Sequence, residues 1–133
     1  MKVIKIPFDN KIPCTVCEVP EPYEDGCLDA IKKLIDIEWV EIVVTIERLD
    51  PTTRRDFCLL VDEVGKLHEG WEQEVNFRAS RLYAGSLYGD PIVGDVVLCA
   101  RQWTDSFGEC YLSGLTDAEI AYFLRIYLYS KKE

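Results

Sequence analysis

Histidine is nearly missing from this 133-residue sequence, where His68 stands alone. A nucleophilic triad needs a base, usually histidine, within hydrogen-bond reach of its nucleophile. His68 lies in the turn-like His68-Glu69-Gly70 and reads as a surface-loop histidine rather than a catalytic one. Phosphate-cradling glycine patterns are also missing, since Gly85, Gly89 and Gly94 are too irregularly spaced for a Walker or dinucleotide-binding loop. No apolar run approaches the roughly 18 residues of a membrane span. The opening MKVIKIPFDN, interrupted by Lys5, Pro7 and Asp9, lacks a signal-peptide core. There are no internal repeats, low-complexity tracts or interdomain linkers. The expectation is a soluble cytoplasmic protein without membrane contact.

Bases are scarce too. Fifteen Lys and Arg face 24 Asp and Glu, a formal charge of −9. From Glu18 to Glu47 nine acids face only Lys32 and Lys33, so that segment alone carries −7. Such a surface repels phosphate backbones over about a Debye length, ~8 Å at physiological salt. Direct nucleic-acid binding is therefore disfavoured, which leaves mimicry of a nucleic acid or a basic protein partner. Glu38, Glu41 and Glu47 are its candidate contacts. The plainer reading is a solvated face that keeps the chain soluble.

Six cysteines are present, but a reducing compartment leaves them as thiols. Cys14 and Cys17 form a CxxC in an extended stretch bounded by Pro13 and Pro20, not at the helix N-terminus that a redox pair requires. Zinc would need two further ligands. Cys27, Cys58, Cys99 and Cys110 are isolated in sequence. No metal or cofactor is expected, and no catalytic residue is assigned.

Length favours one domain over 1–133, with 101–133 as a C-terminal extension. Lys2 to Phe8 alternates as a strand, and Cys14 to Val19 returns as its hairpin partner before Pro20 and Pro22 stop it. Asp25 or Gly26 caps a helix whose stripe is Leu28, Ile31, Leu34 and Ile35, ending near Asp36. Glu38 to Glu47 then takes period two. Val40, Ile42, Val44 and Ile46 form one face; Trp39, Glu41, Val43, Thr45 and Glu47 form the other. Phe57 to Val61 suits a central strand, and Lys66-Leu67 is expected to re-enter the sheet after a turn at Gly65. Gln73 to Gly89 holds a turn or two of helix. Ile92 to Ala100 is a strand with a bulge at Gly94, and Arg101 to Gly114 is a loop or hairpin.

Thr116 and Glu119 spell a capping box. Behind it Ile120, Phe123, Leu124, Tyr127 and Leu128 form a full helical stripe. The fold class is α+β: a largely antiparallel sheet of four to six strands, one helix after the first hairpin, a short middle helix, and a C-terminal helix packed on the sheet.

Two further groups draw notice. Asn76, Arg78, Arg81 and Tyr83 place two guanidiniums, an amide and a phenol within eight residues, a set able to hold a small anionic metabolite or nucleotide signal. The competing reading makes Asn76 a helix cap. Tyr122, Ile126 and Tyr129 form a second row on the last helix, suited to a homodimer contact.

The stretches DEVGKL, NFRASRLY and DPIVGDVVL resemble the family called domain of unknown function 3846. The matching positions are Asp62, Glu63, Gly65, Lys66 and Leu67; Asn76, Ala79, Leu82 and Tyr83; and Ile92, Gly94 and Asp95. With the preceding helix and strand the resemblance covers about half of the chain, and the tail from Arg101 lies outside it. It implies the same fold and a setting in phages, plasmids and gut bacteria, with no catalytic residues. The expected function is therefore non-catalytic: an accessory or counter-defence factor that binds a host protein. Sequestration of an anionic signal is the alternative, and an enzyme of unknown reaction the weaker one.

Overall fold

The computed structural model describes residues 1–45, 50–67, 69–83, 89–104, 108–126 and 128. Its centre is a six-stranded antiparallel sheet. β1 (Lys2–Ile6) and β2 (Thr15–Glu18) form the first hairpin, and α1 (Cys27–Ile35) follows. β3 (Val40–Val44) and β4 (Arg55–Asp62) pair next. After the short α2 (Phe77–Ser80) come β5 (Val96–Trp103), β6 (Cys110–Ser113) and α3 (Asp117–Ile126). The order is β2-β1-β5-β4-β3, with β6 also paired to β5. β1 pairs with the first part of β5 and β6 with its last, so both lie on the same side of that strand.

Sequence alternation builds two cores. Val3, Cys58, Leu60, Val97 and Cys99 face α1, meeting Cys27, Ile31 and Ile35. Ile4, Ile6, Leu59, Val61, Val96, Leu98 and Ala100 face the other way, onto Ala79 and Leu82 and onto Ile120 and Phe123 of α3. Phe57 meets Phe123 edge-on at 4.8 Å, the favoured geometry for two ring quadrupoles. The C-terminal 101–133 segment is thus part of this core: β5 runs on to Trp103, and Phe123 is fully buried.

The capping box forms as its spacing requires: Glu119 N–H donates to Thr116 Oγ1 at 3.1 Å, and Thr116 N–H to a Glu119 carboxylate oxygen at 2.8 Å. Gly26 starts α1 and Asp36 ends it, both left-handed.

Three expectations need correction, and β3 shows which of its two faces is covered. Leu28 does not join the α1 stripe; the helix begins at Cys27, so 27, 31 and 35 share the buried face and Leu28 is turned about 100° away into solvent. Lys66 and Leu67 do not re-enter the sheet. β4 already has β3 and β5 as neighbours, leaving no edge for a third strand, and Gly65–Leu67 closes instead as a 3-10 turn without a left-handed Gly65. β5 begins at Val96 rather than Ile92, because Gly94 takes φ +81° and bends the chain first. On β3 the alternation holds, but Ile42 and Val44 are about half exposed while Val43 packs inward and Thr45 is buried. Of the described residues of the aliphatic face, Val40 alone packs into the α1 core. Ile46, Glu47, His68, Phe107, Tyr127 and Tyr129 lie outside the described residues. No described helix is long and apolar enough to cross a membrane.

Candidate functional site: an acid-lined trough at one end of the sheet

At the end of the sheet where β4 stops, two depressions adjoin across Asp62, Gly65 and Val93. The first, about 280 Å³, lies between β3, the 3-10 turn and the segment around Tyr83 and Asp90. Its floor is Val43, Val61, Ile92 and Val93, and its walls carry Glu41, Asp62, Glu63, Asp90 and Lys66. The second, about 290 Å³, lies under the end of α1 and carries Asp36, Asp62, Glu74 and Asp95. Each has four carboxylates and they share Asp62. Seven therefore line the trough, and among the described lining residues Lys66 is the one ammonium. The carbonyl end of α1 adds further negative potential.

Lys66 pairs with Asp90, whose other oxygen accepts the Tyr83 hydroxyl at 3.1 Å. The lysine's hydrogen bond holds the Asp90 carboxyl below its usual range. Desolvation, followed by the bond to Asp90, raises the Tyr83 phenol. This is a charged hydrogen-bonded arrangement. Among the described residues no three His, Cys, Asp or Glu side chains come together as a metal-binding group.

Parts of the stretches DEVGKL, NFRASRLY and DPIVGDVVL meet here, while Ala79 and Leu82 lie in the core. Asp62, Glu63, Gly65, Lys66, Leu67, Tyr83 and Ile92 line the first depression, and Gly94 and Asp95 the second. Asn76 sits behind them, fully buried. Its side-chain oxygen accepts Ala79 N–H at 3.0 Å, and its amide donates to the carbonyls of Ile6 (2.8 Å) and Gly94 (2.9 Å). That makes it a cap for α2 and a tie between β1 and the bend.

Arg78 corrects the anion-clasp expectation. It turns inward, 4% exposed, and Nη2 donates to the carbonyls of Pro7, Asp9 and Ile12 at 2.7, 3.1 and 2.8 Å. The guanidinium ties down the carbonyls of the β1–β2 loop, of which that of Asp9 also accepts Ile12 N–H at 3.0 Å. Arg81 is at the surface and Tyr83 is on the trough, so Asn76, Arg78, Arg81 and Tyr83 do not surround one open site. Glu41 lines the trough and Glu38 is exposed near it in sequence, while Glu47 lies outside the described residues. Tyr122 and Ile126 are both exposed on α3. The CxxC splits: Cys14 packs toward one core and Cys17 toward the other, as residues three apart on an extended chain must.

Sequence reading missed Arg55. Its guanidinium reaches both oxygens of Glu119 (2.7 and 3.1 Å), Gln102, Ser113 and the Gly114 carbonyl, locking β4 to β6 and α3. Arg101 likewise grips the buried Asp56 through two bonds of 2.8 and 2.6 Å. Nothing local marks either pair; their partners are 64 and 45 residues away. Comparison with protein-family models, curated proteins and solved structures finds no match to this chain.

Proposed function

We propose that the chain is a non-catalytic binding protein, an accessory or counter-defence factor of a mobile element, that holds a basic protein of its host through the acid-lined trough. The observation that carries this reading is the pair of adjoining depressions lined by seven carboxylates, the first over an aliphatic floor, with Asp90 paired to Lys66 and Asp95 to Lys5. Asp36 and Glu41, from the strongly acidic part of the sequence, contribute to it. Such a surface steers a cationic partner and speeds encounter more than it deepens affinity. Lysine and arginine stems would lie on Val43, Val61, Ile92 and Val93 with their charged ends at the rim. A small anion would meet like charge here, and the buried Arg78 is not available to offset it. The resemblance to the domain of unknown function 3846 family supports the mobile-element setting.

The test is capture of host proteins on immobilised wild-type chain and on a Glu41→Lys, Glu63→Lys variant. Both positions are exposed, so the fold should survive. A basic partner retained by wild type, released steeply with salt and lost from the variant is the expected result. Partners that bind both forms equally, or that salt does not release, would refute the trough as the interface.

A further inference from the structure

A second surface lies away from the trough, at β6. Tyr23 and Tyr111, 86% and 55% exposed, line a depression of about 380 Å³ with Glu21, Pro22, Leu112 and Ser113. Successive strand residues point to opposite faces. A depression touching the three consecutive residues Tyr111, Leu112 and Ser113 therefore runs along the edge of β6, not over a face.

Backbone orientation shows what that edge offers. Trp103 N–H donates to the Arg54 carbonyl, on the β4 side, so the odd residues of β5 turn to β4 and the even ones to β6. Gln102 and Ala100 oppose Tyr111 and Ser113, which are accordingly the residues bonded to β5. The Glu109 carbonyl, accepting Thr104 N–H, continues the same alternation. Leu112 and Cys110 thus present their N–H and C=O groups outward. Among the described residues β6 pairs with β5 alone.

The surroundings select the occupant. Two tyrosine rings offer negative faces to a cation. Glu21 is at the rim, its charge shared with the Met1 ammonium 3.4 Å away. Glu24 and Asp25 beside it are exposed, and no Lys or Arg occurs from Val19 to Ile31. We infer that the open edge of β6 docks an extended basic segment of a protein partner, which adds a strand beside Leu112 and lodges a lysine or arginine side chain between Tyr23 and Tyr111. Strand addition supplies main-chain hydrogen bonds, and the depression supplies side-chain choice. The inference rests on the β6 edge and stands apart from the trough.

The probe is a short capped peptide of alternating valine and lysine, titrated into the full chain and followed by backbone-amide NMR. Shifts centred on Cys110 to Ser113 and Tyr23 are expected, with no binding by the glutamate-for-lysine peptide. Replacing both tyrosines (Tyr23→Ala with Tyr111→Ala) should weaken binding about tenfold, as loss of two exposed cation–ring contacts implies. Leu112→Pro should abolish it by removing one outward N–H, a change edge strands tolerate. The exposed tyrosines keep the test decisive if the proline variant misfolds. Glu41→Lys with Glu63→Lys should leave this binding intact. Shifts confined to the trough, or equal affinity after the double tyrosine change, would overturn the inference.

Discussion

Asn76 satisfies three backbone groups at once, two of them carbonyls that no other described donor reaches by a side chain. Removing it leaves the buried Ala79 N–H unpaired and takes a donor from the Gly94 and Ile6 carbonyls, of which Ile6 keeps its ladder partner Val96; each group left unpaired costs about 1–3 kcal/mol before relaxation. Asn76→Ala should therefore lower the urea midpoint strongly. Asn76→Asp separates the roles, because a carboxylate still caps Ala79 but offers the Ile6 and Gly94 carbonyls no donor. If the ties matter more than the cap, Asp should be as damaging as Ala; an Asp variant near wild-type stability would show that the cap alone counts. Glu119 gives a pH prediction. Burial works to raise its carboxyl, but the bonds from Arg55 and Thr116 outweigh burial and hold it below the ordinary 4.5. A lowered folded-state value contributes stability above the unfolded value that is lost as pH falls through the folded one. Wild type should lose stability below pH 4.5, and Glu119→Gln should be less stable at neutral pH and flatter in that range. Melting curves against pH decide it: equal slopes for the two proteins would mean that Glu119 contributes nothing to acid unfolding.

Among the elements, α3 was the most legible. A capping box followed by apolar residues at helical spacing specifies its start and its buried face without knowledge of the rest. β1 and β2 were legible for a similar reason, since alternation and two prolines are local signals. The failures came where a neighbour decides. Period two on β3 assigns two faces but not which one is covered, and Ile42 and Val44 stayed exposed because, of the described residues in their row, Val40 alone packs under α1. Lys66 and Leu67 were misplaced because sequence does not reveal that both edges of β4 are taken. The outer row of α3 remains a testable element. Ile126 is half exposed and absent from both cores, so Ile126→Glu should leave the unfolding free energy within about 0.5 kcal/mol of wild type. A homodimer through Tyr122 and Ile126 would convert to monomer in this variant, as light scattering would register. A wild-type chain that stays monomeric at high concentration ends that reading.

For the molecule as a whole, the acidic excess was plain in the composition, yet its arrangement was not. The trough draws Asp36 from the end of α1, Glu41 from β3, Asp62 and Glu63 from the end of β4, and Asp90 and Asp95 from the approach to β5. Antiparallel pairing brings those stations to one end of the sheet, a juxtaposition no local pattern encodes. The misreading of Arg78 has the same origin: a guanidinium near an amide and a phenol in sequence looks like a ligand clasp until the fold places three carbonyls of the β1–β2 loop against it. This charge arrangement gives salt two opposed effects. In the free chain, like charges gathered in one trough and a net −9 repel one another in the compact state. Sodium chloride shortens the screening length from about 10 Å at 0.1 M to about 3 Å at 1 M, so the melting temperature of the free protein should rise across that range. The exposed pairs Lys2–Asp117 and Lys66–Asp90 will oppose the trend only weakly, since solvent already screens them. Capture of a basic partner should fall over the same range. The Glu41→Lys, Glu63→Lys variant changes the charge by +4 in the trough, and its melting temperature should exceed that of wild type at low salt and converge with it at high salt. A wild-type protein that salt destabilises, or a variant that melts lower at low salt, would mean that the trough's carboxylates are already compensated and that its acidity is not held in reserve for a partner.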